Sequence, residues 1–217
     1  TDSLQFYLMR EKLRVMSATN LTDLKQQYIS DIAKGENLND IAVRYGYSLT
    51  LSAMGDYRQA RVELEKLIAT DGERLSYQLA LADIEMASGQ VSKALKIYDA
   101  NQKLFPNDQA LTMKQVSALL QSRLPKQGTT LLLRQLELGH RSSKIYKLLA
   151  QAQGDMGNTS EAHSWLAEYY FSAGQMAQAA DQLNLAIKAA GGNQYQLARF
   201  NARLQDVEMT LAQLEAL

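Results

Sequence analysis

The sequence predicts an all-α fold, a superhelical solenoid of about twelve helices in stacked antiparallel pairs, with atypical capping helices at both ends. Three observations predict it. Leu, Ala, Gln, Lys and Glu dominate, β-formers are scarce, and only 2 prolines occur in 217 residues, so helix is favoured almost everywhere. Apolar residues make up 46%, enough to bury a substantial core. Above all, one set of residue types returns at a constant interval.

Segments beginning at Ile41, Leu75, Gln109 and Ser143 start 34 residues apart without insertion. Gly55, Gly89 and Gly157 then align, as do Ala60, Ala94, Gly128 and Ala162, and Leu64, Tyr98, Leu132 and Leu166. Gly55-Asp56-Tyr57, Gly89-Gln90-Val91 and Gly157-Asn158-Thr159 read as tight turns between antiparallel helices. The aligned small residues belong where two helices cross closely, and the larger residue one turn later fills the gap beside them. Each pair exposes an apolar face that only another pair can cover, which is why such units stack. The third unit is degenerate, its turn reading Arg123-Leu124-Pro125 with Pro125 opening the second helix.

This pattern resembles the tetratricopeptide repeat, which sets small residue, Gly, aromatic, Ala, aromatic and Pro at fixed intervals. The matches are Leu81-Ala82, Gly89, Ala94, Tyr98 and Pro106 in one unit, and Leu149-Ala150, Gly157 and Ala162 in another. The expected organisation is a single helical-repeat domain, 1–217. It comprises N-terminal capping helices (1–40), repeats at 41–74, 75–108, 109–142 and 143–176, an overlapping fifth repeat at 160–193, and a C-terminal capping helix (194–217). The overlap arises because helix 160–172 fits two roles: second helix of the fourth unit through Ala162 and Leu166, or first helix of a fifth through Leu166-Ala167 and Tyr170. A change of step is expected there, with Trp165, Tyr169, Tyr170 and Phe171 filling the irregular packing as core. The apolar stripe Leu197, Phe200, Leu204, Val207, Leu211 and Leu214 fits a coiled-coil seam or a lid over the last pair, the lid being the better fit.

Lys+Arg and Asp+Glu balance at 23 each and the basic residues are scattered, which argues against nucleic acid as a partner. No apolar run reaches membrane-span length, so no membrane insertion is expected. The absence of cysteine removes disulfides and thiolate metal sites. His140 and His163 lie apart and outside any His-Glu-x-x-His pattern, and no phosphate loop or nucleophile elbow occurs. No catalytic, cofactor-binding or metal residues are therefore assigned, and no cofactor is expected in this chain. Asn20-Leu21-Thr22 matches a glycosylation sequon and equally a helix cap, with Asp23 three residues on. The opening Thr1-Asp2-Ser3-Leu4 has neither an initiator Met nor a signal-peptide pattern and reads as a cap entering a helix. The chain is expected to be a piece of a longer protein.

In a tetratricopeptide superhelix the first helix of each pair lines the concave face. Carried onto this frame, the partner-binding groove comprises Tyr45, Leu49 and Ser52, then Leu79, Asp83 and Met86, then Met113, Ser117 and Leu120, and finally Lys147 and Gln151. Exposed Met and Leu suit an adaptable protein-binding surface. Some family members clamp a terminal carboxylate with Lys and Asn at these positions; here the residues differ, and docking to an acidic chaperone tail is not expected.

The segment Ser3-Leu4-Gln5-Phe6-Tyr7-Leu8-Met9-Arg10-Glu11-Lys12-Leu13-Arg14 is similar to the linking helix that follows the catalytic domain in periplasmic M48-type zinc metalloproteases of Gram-negative bacteria. The resemblance implies a periplasmic location, with zinc held by a preceding domain absent from this chain. It also implies three protein partners: the outer-membrane barrel assembly machinery, unfolded or immature barrel substrates, and the chain's own protease domain. Without a protease, the same residues would serve a stand-alone scaffold or adaptor of another bacterial assembly system.

Overall fold

The computed structural model describes residues 4–35 and 40–215 and holds, among them, twelve α-helices and no strand. The cap reading of residues 1–3 lies outside the described residues. The chain divides into two compact units, Thr1–Pro106 and Asn107–Leu217.

The first unit contains α1 (Leu4–Ser17), α2 (Leu21–Lys34), α3 (Asp40–Ala53), α4 (Tyr57–Asp71), α5 (Leu75–Ala87) and α6 (Val91–Leu104). Gly55 ends α3 at φ +85°, a left-handed value open to glycine. The chain then doubles back, with Asp56 N–H donating to the Leu51 carbonyl at 2.9 Å and the Asp56 carboxylate accepting from Gln59 N–H at 3.1 Å. That last bond caps α4. Ala60 and Leu64 are both fully buried, so α4 lies against its neighbour over a methyl group and fills the gap one turn on.

The capping helices α1 and α2 are bound to α3 through a buried polar cluster. The Tyr28 ring is fully buried and passes over Gly46, where an added Cβ would lie 2.5 Å from the phenol oxygen. Its hydroxyl donates to Glu11 at 2.7 Å. Glu11 is only 1% exposed and also accepts from Arg10 at 2.7 Å and Arg14 at 3.5 Å. Two guanidiniums make burial of that carboxylate tolerable, and removing them would leave an uncompensated charge. Between repeats, Arg61 on α4 forks onto buried Glu85 on α5 at 2.5 and 3.0 Å. Asn20 caps α2, accepting from Thr22 and Asp23 N–H at 3.0 and 3.2 Å.

The second unit contains α7 (Gln109–Gln121), α8 (Pro125–Glu137), α9 (Ser143–Asp155), α10 (Thr159–Ser172), α11 (Met176–Ala189) and α12 (Gln194–Glu215). Pro125 does open α8, and Arg123 takes the left-handed turn position at φ +58°. Gly128 is buried, and a Cβ there would lie 3.3 Å from Leu120.

Burial resolves the double reading of α10. The second-helix positions that are fully buried in α4 and α6 correspond to Ala162 and Leu166, which are only half-buried. Ala167, at the first-helix position equivalent to Ala82, is 1% exposed, while Ala179 and Leu183 of α11 are fully buried. Helix α10 thus packs along α9 yet carries the first-helix face for α11. The four aromatics expected as core are all half-buried: Trp165 packs against the core of Val116, Leu132 and Leu149, Tyr170 and Phe171 against that of Ala179 and Leu183, and Tyr169 meets Tyr170 edge-on. Helix α12 closes the unit as a lid: Phe200 and Val207 are buried, with Val207 in the same core as Ala167, Ala179 and Leu183.

Candidate polypeptide-binding site

In the first unit, α3 and α5 supply the first-helix face. Tyr45 is buried there, its ring 5.7 Å from that of Tyr77, and burial beside Asp83 pushes its hydroxyl up to about 12. It works as packing. Leu49, Ser52, Leu79 and Met86 are half-buried and Asp83 is exposed, accepting a 3.3 Å bond from Tyr98. In the second unit, α7 places Met113 and Leu120 in the core with Val116 and Leu132, and leaves Ser117 half-buried. Lys147 and Gln151 on α9 are exposed. Of the expected groove residues, Leu49, Ser52, Leu79, Asp83 and Met86 in one unit and Ser117, Lys147 and Gln151 in the other are at least partly open to solvent. Tyr45, Met113 and Leu120, expected in the groove, lie in the core instead, because the exposed face of a first helix adjoins the face it packs on its neighbours.

Sequence reasoning passed over a second feature. In the second unit α12 runs beside α10, held by Arg199 on Glu161 at 2.5 and 2.6 Å and by Arg203 on Glu168 at 2.7 and 2.9 Å. A cavity of about 350 Å³ opens between α12, α10, α9 and the end of α8. Its floor is Trp165 stacked on Tyr146, ring centroids 6.2 Å apart. A signal existed in the sequence: Glu161 and Glu168 stand seven apart on α10, opposite Arg199 and Arg203 four apart on α12.

Among the described residues no group of three or more His, Cys, Asp or Glu could hold a metal, and His163 Nδ1 is engaged with Gln182 at 2.8 Å.

Helix pairs at a 34-residue step, turned through left-handed residues, make a fold of tetratricopeptide-repeat type. A family model described as tetratricopeptide repeat matches residues 51–120. A tetratricopeptide repeat protein of Parabacteroides merdae superposes with a TM-score of 0.58 at 15% identity, over 99% of this chain and 88% of its own, which shows the fold. Among curated proteins the chain is similar to the beta-barrel assembly-enhancing protease of Escherichia coli (strain K12), 26% identical over 206 residues, 95% of this chain and 42% of that protein. It is also similar to the protein of the same name from Yersinia pestis, 25% identical over 210 residues, 95% of this chain and 43% of that protein. The chain thus spans about two fifths of the length of these relatives. No described helix is long and apolar enough to cross a membrane.

Proposed function

We propose that this chain is the recruiting part of a periplasmic zinc protease, bringing the outer-membrane barrel assembly machinery and immature barrel polypeptides to a catalytic domain encoded elsewhere in the protein. The observation that carries this is the alignment of 95% of the chain with relatives named as beta-barrel assembly-enhancing proteases, of which it takes up only 42%. Zinc and bond cleavage would belong to the remaining length. The contribution of this chain is capture on its first helices, where Met86 and Leu49 offer adaptable apolar contact and Asp83, Lys147 and Gln151 offer polar contact.

The test is photocrosslinking in cells from positions Asp83, Met86, Lys147 and Gln151, with exposed Lys96 on a second helix as control. Crosslinks to barrel assembly proteins from the first-helix positions, reduced severalfold by Met86→Glu or Leu49→Asp at unchanged helicity, are the expected result. Crosslinks from Lys96 alone would move capture to the other face. Capture of no barrel assembly protein at any position would remove the protease reading and leave an adaptor of another system.

A further inference from the structure

The cavity under α12 has the chemistry of a ligand site. Its walls are apolar and aromatic: Leu136, Tyr146, Trp165 and Phe200. Its rim carries Arg141, Arg199 and Arg203 against Glu168. The two arginines of α12 are already matched, because Arg199 is held by Glu161 and Arg203 by Glu168. Arg141 is different: it lies exposed in the α8–α9 loop and makes no hydrogen bond or ion pair among the described residues. The Tyr146 hydroxyl, though its ring is buried, likewise has no hydrogen-bond partner there; burial and the Glu168 carboxylate raise it, and Arg141 and Arg203 are both close enough to oppose them electrostatically. An unmatched cation and an unmatched hydroxyl therefore overlook an aromatic floor. A volume of about 350 Å³ is at the low end for ligand pockets, room for a residue or two and not for a length of helix.

We propose that this cavity binds a polypeptide carboxylate next to an aromatic side chain, with the ring against Trp165 and the carboxylate on Arg141 and the Tyr146 hydroxyl. A guanidinium can donate two parallel N–H bonds to the two carboxylate oxygens as a fork, and the ring fills the apolar part that water solvates poorly. The carboxylate can come from a chain end or from an acidic side chain beside the aromatic residue. The inference rests on the reading that the chain binds polypeptides, but it uses none of the first-helix residues assigned to capture.

Trp165 is the single tryptophan of the chain, so its emission reports on the cavity directly. The protein is titrated with three peptides: N-acetyl-triglycyl-phenylalanine as free acid, the same peptide as carboxamide, and an amidated peptide with glutamate preceding phenylalanine. A saturable change in emission is expected with at least one acid, and the carboxamide should bind at least tenfold more weakly. Arg141→Ala should weaken the acid about tenfold, the loss of one charge-assisted contact. It lies on the surface, so folding is not at stake, and Tyr146→Phe, which keeps the ring, gives a second variant. Response to the free acid alone assigns the site to chain ends; response to the internal glutamate assigns it to acidic side chains. Equal binding of the carboxamide, indifference to Arg141→Ala, or no saturable response to either acid would overturn the proposal. A positive titration beside failed crosslinking to barrel assembly proteins removes the recruiting reading alone, and the reverse removes the cavity alone.

Discussion

Arg123 stands at φ +58° where Gly55, Gly89 and Gly157 stand at +85°, +77° and +78° in the equivalent turns. A Cβ in that region crowds the following carbonyl, which costs an ordinary residue about 1–2 kcal/mol. The side chain offers no compensation, since it is exposed and itself makes no hydrogen bond or ion pair among the described residues. Arg123→Gly should therefore raise the unfolding free energy by about 0.5–1 kcal/mol, the remainder being offset by the greater freedom of glycine in the unfolded chain. Urea denaturation measures this, and unchanged or reduced stability would mean the turn carries no strain. The 34-residue frame made this turn legible, because a missing glycine is conspicuous against its neighbours. The Glu11–Tyr28–Gly46 contact was not: it joins three helices through residues at no fixed spacing, and a glutamate among apolar neighbours reads as solvated until Tyr28 is seen over it.

At the scale of elements, periodicity revealed which helices exist more readily than which neighbour each one serves. The groove residues show this: Leu49 and Met113 are both apolar residues of first helices, yet one is half-buried and the other lies in the core. Helix α10 satisfied two registers in the sequence because it does pack on two neighbours, and only the burial of Ala167 against half-exposed Ala162 shows which face dominates. The stripe on α12 left seam and lid open, and Val207 in the core with Ala179 and Leu183 decides for the lid. Phe200 and Val207 are 1% and 0% exposed. Complete burial stabilises by about 1.5–3 kcal/mol for each such side chain, so the lid is worth a large share of a marginal unit's stability, about 5–15 kcal/mol for a typical domain. A chain ending at residue 193 should expose Ala167 and Leu183 to water. Hydrogen exchange is expected to accelerate by at least tenfold across α11 while α3–α6 keep their protection. Unaltered protection at residues 176–189 would show that α12 is dispensable.

Over the whole molecule, tyrosine hydroxyls tie stability to alkaline pH. The chain has eleven tyrosines, and burial raises the hydroxyls of Tyr28, Tyr45, Tyr47, Tyr77, Tyr98 and Tyr146 above the ordinary phenol range. Nearby carboxylates reinforce this in all six, and in three of them through a hydrogen bond: Tyr28 donates to Glu11 and Tyr77 to Asp71 at 2.7 Å, and Tyr98 to Asp83 at 3.3 Å. Ionisation there would put a phenolate against a carboxylate in a dry environment. The neutral form is the protonated one, so above pH ~10 the folded chain holds more protons than the unfolded chain, and stability falls as pH rises. The contribution is complete below the unfolded value near pH ~10 and is lost as pH climbs through the folded values, about 12 for Tyr45. Absorbance at 295 nm and helical ellipticity should thus change together in one cooperative step above pH ~11, with these six phenols ionising as the helices melt. If they titrated smoothly near pH ~10 while ellipticity stayed constant, the tyrosines would be open to water and the stacked-pair core, which depends on Tyr28, Tyr77 and Tyr98 being shut inside it, would be wrong.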